Sequence, residues 1–263
     1  MSFRSHGGVR YLVFDSFEDG VTQAVYTRQG GVSPEPWASL NLGGTVGDDL
    51  ERVRENRRRA LEATGSDPAT VYDVWQVHGD RVAIAEAPRP PEAPHLQADV
   101  ILTDRPGVTL MMRFADCVPI FLFDPLRKVA GIAHAGWMGT VKGTVRAAVE
   151  AMQSRYGSAS GNIRAAIGPS IGPDHYEIGA DVVAQVRQAF GEAAPDLLQV
   201  RDGRTFFDLW GANKRLLEQA GVRQIEVVGL CTACQLGDWY SHRAEKGRTG
   251  RFGALLALKA SAG

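Results

Sequence analysis

The stretch DVILTDRPGVTLMMRFADCVPIFLFDPLRKVAGIAH, residues 99–134, carries four strand-like runs in direct succession, at 99–103, 108–115, 118–123 and 129–134. The joints between them are short and turn-like, as in Asp124-Pro125-Leu126. A parallel pair of strands needs a crossover of a dozen or more residues, and no such length separates these runs. The succession therefore predicts mixed or antiparallel sheets and argues against a doubly wound parallel fold.

Working outward, further strand-like runs occupy 9–14, 23–27, 71–77, 81–85, 163–167 and 224–230. Helical patterns are fewer. Asp48 or Asp49 can cap a helix that runs to about Ala63, with Gly65 just beyond. Residues 140–156 place Val141, Val145, Ala148, Val149 and Met152 at helical spacing and stop at Gly157. Two more helices are expected over 179–190 and 208–220, the second between Asp208 and Gly221. The proline-rich segment APRPPEAPHLQ, 87–97, reads as an extended surface loop, because strand-like sequence resumes at once after it. The expectation is one α+β domain over residues 1–263, with mixed β-sheets covered by helices.

A chain of 263 residues can bury a substantial core. A net charge of -1 gives no drive toward nucleic acid or an acidic membrane surface, although a local basic pocket remains compatible with it. The first residues, MSFRSHGGVRYLVFDSF, lack the apolar core of a signal peptide, and Val118–Phe123 is far too short to span a bilayer. Three cysteines form no disulfide framework, which places the protein in a reducing cytoplasm.

His78 ends WQVH (75–78), Cys117 joins two apolar strands, and His134 closes a third. Separations of 39 and 17 residues are unlike the short knots of a zinc finger, yet strand ends can converge in space. Two imidazoles and a thiolate suit zinc with its fourth position open, where bound water ionises near pH 7. The competing reading is two hydrogen-bonded strand-end histidines and an inert buried thiol, and spacing alone favours it.

Other features carry weaker signals. His175-Tyr176-Glu177 with Cys231-Thr232-Ala233-Cys234 superficially matches the signature of zinc nucleobase deaminases. The signature's proline is missing, Leu230 standing in its place, so the match reads as coincidence and the two cysteines as small residues at a strand end, with redox activity or a partial metal site as alternatives. GPSIGP (168–173) has the composition of an anion-binding turn without the lysine of a P-loop. No dinucleotide fingerprint or G-x-S-x-G is present. SHRAEKGR (241–248) reads most simply as a solvated loop, whose cations could equally meet an anionic substrate.

Taken together, TRQGGVS (27–33), SLNLGGTVGDD (39–49), Asn56-Arg57, WQVHGDRV (75–82), ADVILTD (98–104), ADCVPIFLFDP (115–125), AHAGWMGT (133–140), AAIGPSIGPDHYEIG (165–179), FDLWGANKRLL (207–217) and SHRAEKGRTGR (241–251) come in an order that resembles the YfiH-like, or laccase-domain, family. The resemblance spans nearly the whole chain. It implies an αββα sandwich shared with a class of cysteine hydrolases. It implies a metal site at His78, Cys117 and His134, with zinc favoured over copper. The implied activities are phosphorolysis of purine nucleosides (adenosine, inosine and 5′-methylthioadenosine), deamination of adenosine and, by an older description, phenol oxidation. Asp116 is the candidate for proton handling or for ordering a ligand histidine, with a hydrogen-bonded turn residue as the alternative. Asn41 and Arg57 are the candidate ribose or phosphate contacts. Met138 departs from the pattern, since HAGW is usually followed by arginine.

Four readings follow. A multicopper oxidase needs a histidine-rich cluster, which six histidines in all do not readily supply, so zinc-dependent phosphorylase or deaminase chemistry is preferred. The others are a cysteine hydrolase that edits peptidoglycan precursors with Cys117 as nucleophile, and a non-catalytic zinc protein that binds a partner.

Overall fold

The computed structural model describes residues 1–17 and 19–260. In chain order the strands are β1 (Ser2–His6), β2 (Val9–Val13), β3 (Val21–Tyr26), β4 (Val71–Asp73), β5 (Val82–Ile84), β6 (Val100–Thr103), β7 (Thr109–Phe114), β8 (Val118–Asp124), β9 (Val129–Ala135), β10 (Arg164–Ile167), β11 (Glu177–Ile178), β12 (Leu198–Arg201), β13 (Arg204–Phe207), β14 (Gln224–Val227) and β15 (Phe252–Leu258). The helices are α1 (Leu50–Ala63), α2 (Trp137–Lys142), α3 (Thr144–Tyr156), α4 (Ala180–Phe190), α5 (Ala194–Leu197) and α6 (Leu209–Gln219).

One sheet runs β1-β2-β3-β15-β7-β4 and a second β14-β10-β8-β9-β6-β5, with a small sheet β11-β13-β12 beside them. Three outer pairs are parallel, β4 with β7, β5 with β6 and β10 with β14, and the rest are antiparallel. Alternation along the strands explains the layering. Val118, Ile120 and Leu122 of β8 pack with Val145, Val149, Met152 and Leu216 of the helices. Phe121 and Phe123 point the other way and meet Leu12, Leu110, Phe252 and Leu256 of the first sheet. Helix α1 covers that sheet's far face through Ala60 and Leu61 against Tyr26, Met111 and Leu255. The layers are thus α, β, β, α, an α+β fold with mixed sheets, as expected. Strands covered on both faces have no need of a polar face, which is why β8 and β9 read as continuous apolar runs.

Capping behaves as the sequence suggests. Asp49 accepts from the backbone N–H groups of Glu51 and Arg52 at 2.9 and 3.1 Å to start α1, and Asp208 accepts from Gly211 at 2.9 Å to start α6. Gly157 ends α3 in the left-handed region. The helix expected over 140–156 begins earlier and is two helices. Gly143, at φ 87°, ends α2 and opens α3.

Strand β15 carries no expectation from sequence, although it is fully buried between β3 and β7. Its residues, FGALLAL, are mostly good helix formers without polar alternation, so tertiary burial and not propensity makes it a strand. The short strands β1 and β11–β13 were likewise unannounced; β1 is exposed throughout and pairs with β2 along one side. Phe121 sits edge-on to Phe14, ring centroids 4.9 Å apart, with no exposed surface. Phe121→Ala should lower stability by about 3–5 kcal/mol in urea denaturation; a loss below ~1 kcal/mol would show that the two sheets are not held together there.

Candidate metal centre

The chain crosses from the first sheet to the second between Phe114, the last residue of β7, and Val118, the first of β8. Cys117 lies on that crossing. His134 is the penultimate residue of β9, paired with Pro119, and His78 follows β4 on a loop. The nitrogen and sulfur donors of His78, Cys117 and His134 lie within 4.8 Å of one another. The two imidazole rings meet at 70° with centroids 4.9 Å apart.

Asp99, just before β6, organises both histidines. Its Oδ1 is 2.8 Å from Nδ1 of His134 and accepts the backbone N–H of His78 at 3.0 Å. Its Oδ2 accepts the N–H groups of Gly79 and Val77 at 2.7 and 3.1 Å. Burial alone would raise this carboxyl, but the bonds from His134, Gly79 and Val77 outweigh it and hold Asp99 below the usual carboxylate range. The contact with Asp99 orients the His134 ring through Nδ1, so Nε2 is the ring nitrogen available to a metal.

The backbone is held in uncommon conformations here. His78 has φ 59° and Asp116 φ 81°, each a non-glycine residue in a region that costs about 1–3 kcal/mol. Small residues make the room. A Cβ at Gly136 would lie 2.8 Å from Cys117 Sγ and 3.2 Å from His78 Cδ2. Burial disfavours the Cys117 thiolate, yet the adjacent rings of His134 and His78 more than offset this and lower its pKa. His134 moves the opposite way: burial disfavours its cation, and Cys117 and Asp99 together raise its pKa. The donor set fits a borderline-soft cation well: two imidazoles, one thiol inclined to ionise, and a carboxylate orienting one ring.

The triad opens on a cavity of about 640 Å³. Four guanidinium groups line it, those of Arg57, Arg113, Arg243 and Arg251, together with the rings of Trp75, Trp137 and Tyr176. Arg57 donates from Nε and Nη2 to the carbonyl of Leu42 at 3.0 and 2.9 Å. Burial and then the charge of Arg113 lower its pKa to about 10. Asp73 clamps Arg113 from behind and also accepts from Arg89 Nε at 2.8 Å, while burial is outweighed by these cations and its pKa falls below the carboxylate range.

The remaining candidates are placed as follows. Arg57 lines the cavity. Asn41 does not: it is wholly buried, its amide bonding Gly43, Asp48 and the backbone N–H of Arg251, so it holds cavity-lining residues in place and leaves no polar atom for a ligand. Asp116 lines the cavity, with Oδ1 accepting from Thr232 at 2.6 Å and Oδ2 from the Arg243 N–H at 2.7 Å. The ordering of a ligand histidine expected of Asp116 falls to Asp99. Met138 is half-buried on α2 and absent from the cavity wall. The N–H groups of GPSIGP serve its own fold, Gly168 bonding Pro119 O and Ile171 bonding Asp116 O, and do not form an anion nest. Residues 241–248 form a largely exposed loop, as expected, but an anchored one: Ser241 is buried, Glu245 accepts from Ser241 N and Thr249 Oγ1, and His242 and Arg243 reach the cavity.

A family model described as multi-copper polyphenol oxidoreductase laccase matches residues 22–259. The chain is 42% identical to a purine nucleoside phosphorylase of Deinococcus radiodurans, over 90% of this chain and 89% of that one. It is 37% identical to the purine nucleoside phosphorylase YlmD of Geobacillus stearothermophilus, over 91% of each. The crystal structure of YlmD from that organism superposes with TM-score 0.91 at 34% identity, over 98% of this chain and 99% of that one. That of Bacillus licheniformis YfiH gives 0.89 at 33%, with the same coverage. Fold and site define an αββα laccase-domain protein with a cluster of two histidines and a cysteine on its cavity wall. The chain belongs to the YfiH/YlmD laccase-domain family.

Asp99→Asn weakens the acceptor that fixes His134 and the 77–79 turn. It should lower retention of zinc by about 10- to 100-fold in competition with a chromogenic chelator. Unchanged retention would mean that Asp99 serves the fold alone.

Proposed function

We propose that this chain is a zinc-dependent purine nucleoside phosphorylase, acting on adenosine, inosine or 5′-methylthioadenosine with inorganic phosphate. The observation that carries the reading is the joining, in one cavity, of a His₂Cys donor set to four arginines and the rings of Trp75, Phe114, Trp137 and Tyr176. Relatives over nine-tenths of the chain bear the name purine nucleoside phosphorylase.

Zinc at His78, Cys117 and His134 would supply Lewis-acid polarisation of a phosphate or water oxygen, which serves phosphorolysis and hydrolytic deamination of adenosine alike. The chain's own groups account for the rest. Arg57 and Arg113 crowd positive charge together, and an anion relieves that repulsion. Phosphate held between them and the triad faces a nucleoside stacked on the aromatic rings. Attack at C1′ builds positive charge on the ribose as the C1′–N9 bond breaks, and the bound phosphate neutralises it. Gly43 and Gly44 line the cavity, so backbone can approach the ligand closely there. Asp116 acts here as a positioning residue. Its two hydrogen bonds tie the Cys117 turn to Thr232 and to Arg243, a cavity-lining arginine.

A second reading has a specific observation behind it. Cys117, His134 and Asp99 line up as nucleophile, base and orienter. His78 argues for metal, because a thiol nucleophile has no use for a second imidazole at the same sulfur. A multicopper cluster finds little support: among the described residues, the groups of three or more metal-capable side chains hold one and two histidines each.

The test is to assay adenosine with and without phosphate. We expect phosphate-dependent release of adenine with ribose 1-phosphate, lost on chelation and restored by zinc. Arg57→Ala should raise the KM for phosphate about 10-fold or more with a smaller effect on that for nucleoside. Phosphate-independent turnover in metal-free protein that Cys117→Ser abolishes would replace this reading with the cysteine hydrolase.

A further inference from the structure

Beyond the cavity, the turn Gly172-Pro173-Asp174-His175 meets the loop Cys231-Thr232-Ala233-Cys234. Sequence distance hides this juxtaposition. Nδ1 of His175 is 3.7 Å from Cys231 Sγ and 3.5 Å from Cys234 Sγ, and all three donor atoms lie within 4.8 Å of one another. We propose that His175, Cys231 and Cys234 form a second metal site, selective for a borderline-soft divalent cation of the zinc class, with solvent in the fourth position.

The geometry suits the ion. Zinc bonds of about 2.3 Å to sulfur and 2.0–2.1 Å to nitrogen, at a tetrahedral angle, put nitrogen and sulfur about 3.6 Å apart. Both His175 distances fall on that value. A backbone donor faces one of the sulfurs. The backbone N–H of Gly172 points at Cys231 Sγ from 3.2 Å, a bond that stabilises negative sulfur. A side chain at Gly172 would collide with Cys231 and Trp210, so the approach requires glycine.

The loops are already joined by backbone. Ser170 N–H donates to Leu230 O and Thr232 N–H to Ser170 O. Thr232 also donates to Asp116, and Tyr176 next to His175 lines the cavity. A cation here would therefore staple the wall that carries Asp116 and Tyr176. Glu177 takes no part: it is exposed, with Arg204 3.6 Å away. This inference is independent of the nucleoside reading.

The test is a zinc titration of metal-free full-length protein, with cobalt(II) as the spectroscopic probe. The wild type should bind two equivalents of zinc, Cys117→Ser one, and Cys234→Ser one. Cys117→Ser should keep the stronger, two-thiolate charge-transfer absorption with cobalt, and Cys234→Ser the weaker, one-thiolate band. His175→Asn should repeat the loss of one equivalent. Since Cys234 and His175 are exposed, these variants leave the core intact. The proposal is overturned if Cys234→Ser binds as much zinc as the wild type, or if Cys231 and Cys234 form a disulfide while zinc is in excess. Failure of the His78 centre would appear separately, as wild type and Cys117→Ser binding equally.

Discussion

The Asp99 carboxylate, with no exposed surface, is gripped by four donors: the backbone N–H groups of Val77, His78 and Gly79 and the imidazole of His134. Burying an ion costs several kcal/mol in real proteins, so such a group survives only where its lone pairs are matched. Here the matching ties three separate pieces of chain together: the start of β6, the end of β9 and the loop after β4. Its backbone carbonyl reinforces the tie to β9, accepting from His134 N at 2.8 Å. The unusual backbone of His78 is tolerable because this carboxylate over-determines it. Thr144 closes the arrangement by donating to Gly79 O at 2.6 Å.

The second constraint is the excess of positive charge on the cavity wall. Four guanidinium groups line one cavity, and they are held by Asp73 and by carbonyls of Leu42, Glu177, Thr249 and Gly250. Holding cations in place before the ligand arrives avoids reorganisation at the moment of reaction. A chain of nearly neutral net charge thus keeps a locally basic pocket, which the overall balance of charges neither requires nor reveals.

Much of the frame was legible in sequence, because strand runs in the 99–134 segment and the caps at Asp49, Asp208 and Gly157 are local signals. The His78, Cys117 and His134 cluster was legible as a possibility only, and resemblance raised it where spacing favoured inert residues. Asp99 was overlooked although its signal was present: an acid directly before a wholly apolar strand must find partners once buried. Arg113, a lone cation within TLMMRF, carries the same kind of signal. The meeting of His175 with Cys231 and Cys234 was not legible, and a partial metal site at the two cysteines stood only as an alternative, since local motif matching takes no account of which loops the sheets bring together. Strand β15 was hidden for the opposite reason, its composition favouring a helix that its position between β3 and β7 forbids.

The central claim is that one buried carboxylate arranges an open His₂Cys centre beside an anion-binding wall. Diffraction from crystals grown with zinc and phosphate, recorded on both sides of the zinc absorption edge, tests it most directly. The account predicts an anomalous peak bonded to His78, Cys117 and His134, with phosphate density between it and Arg57 and Arg113. No anomalous peak at the triad, or phosphate bound elsewhere with Cys117 free, would contradict it.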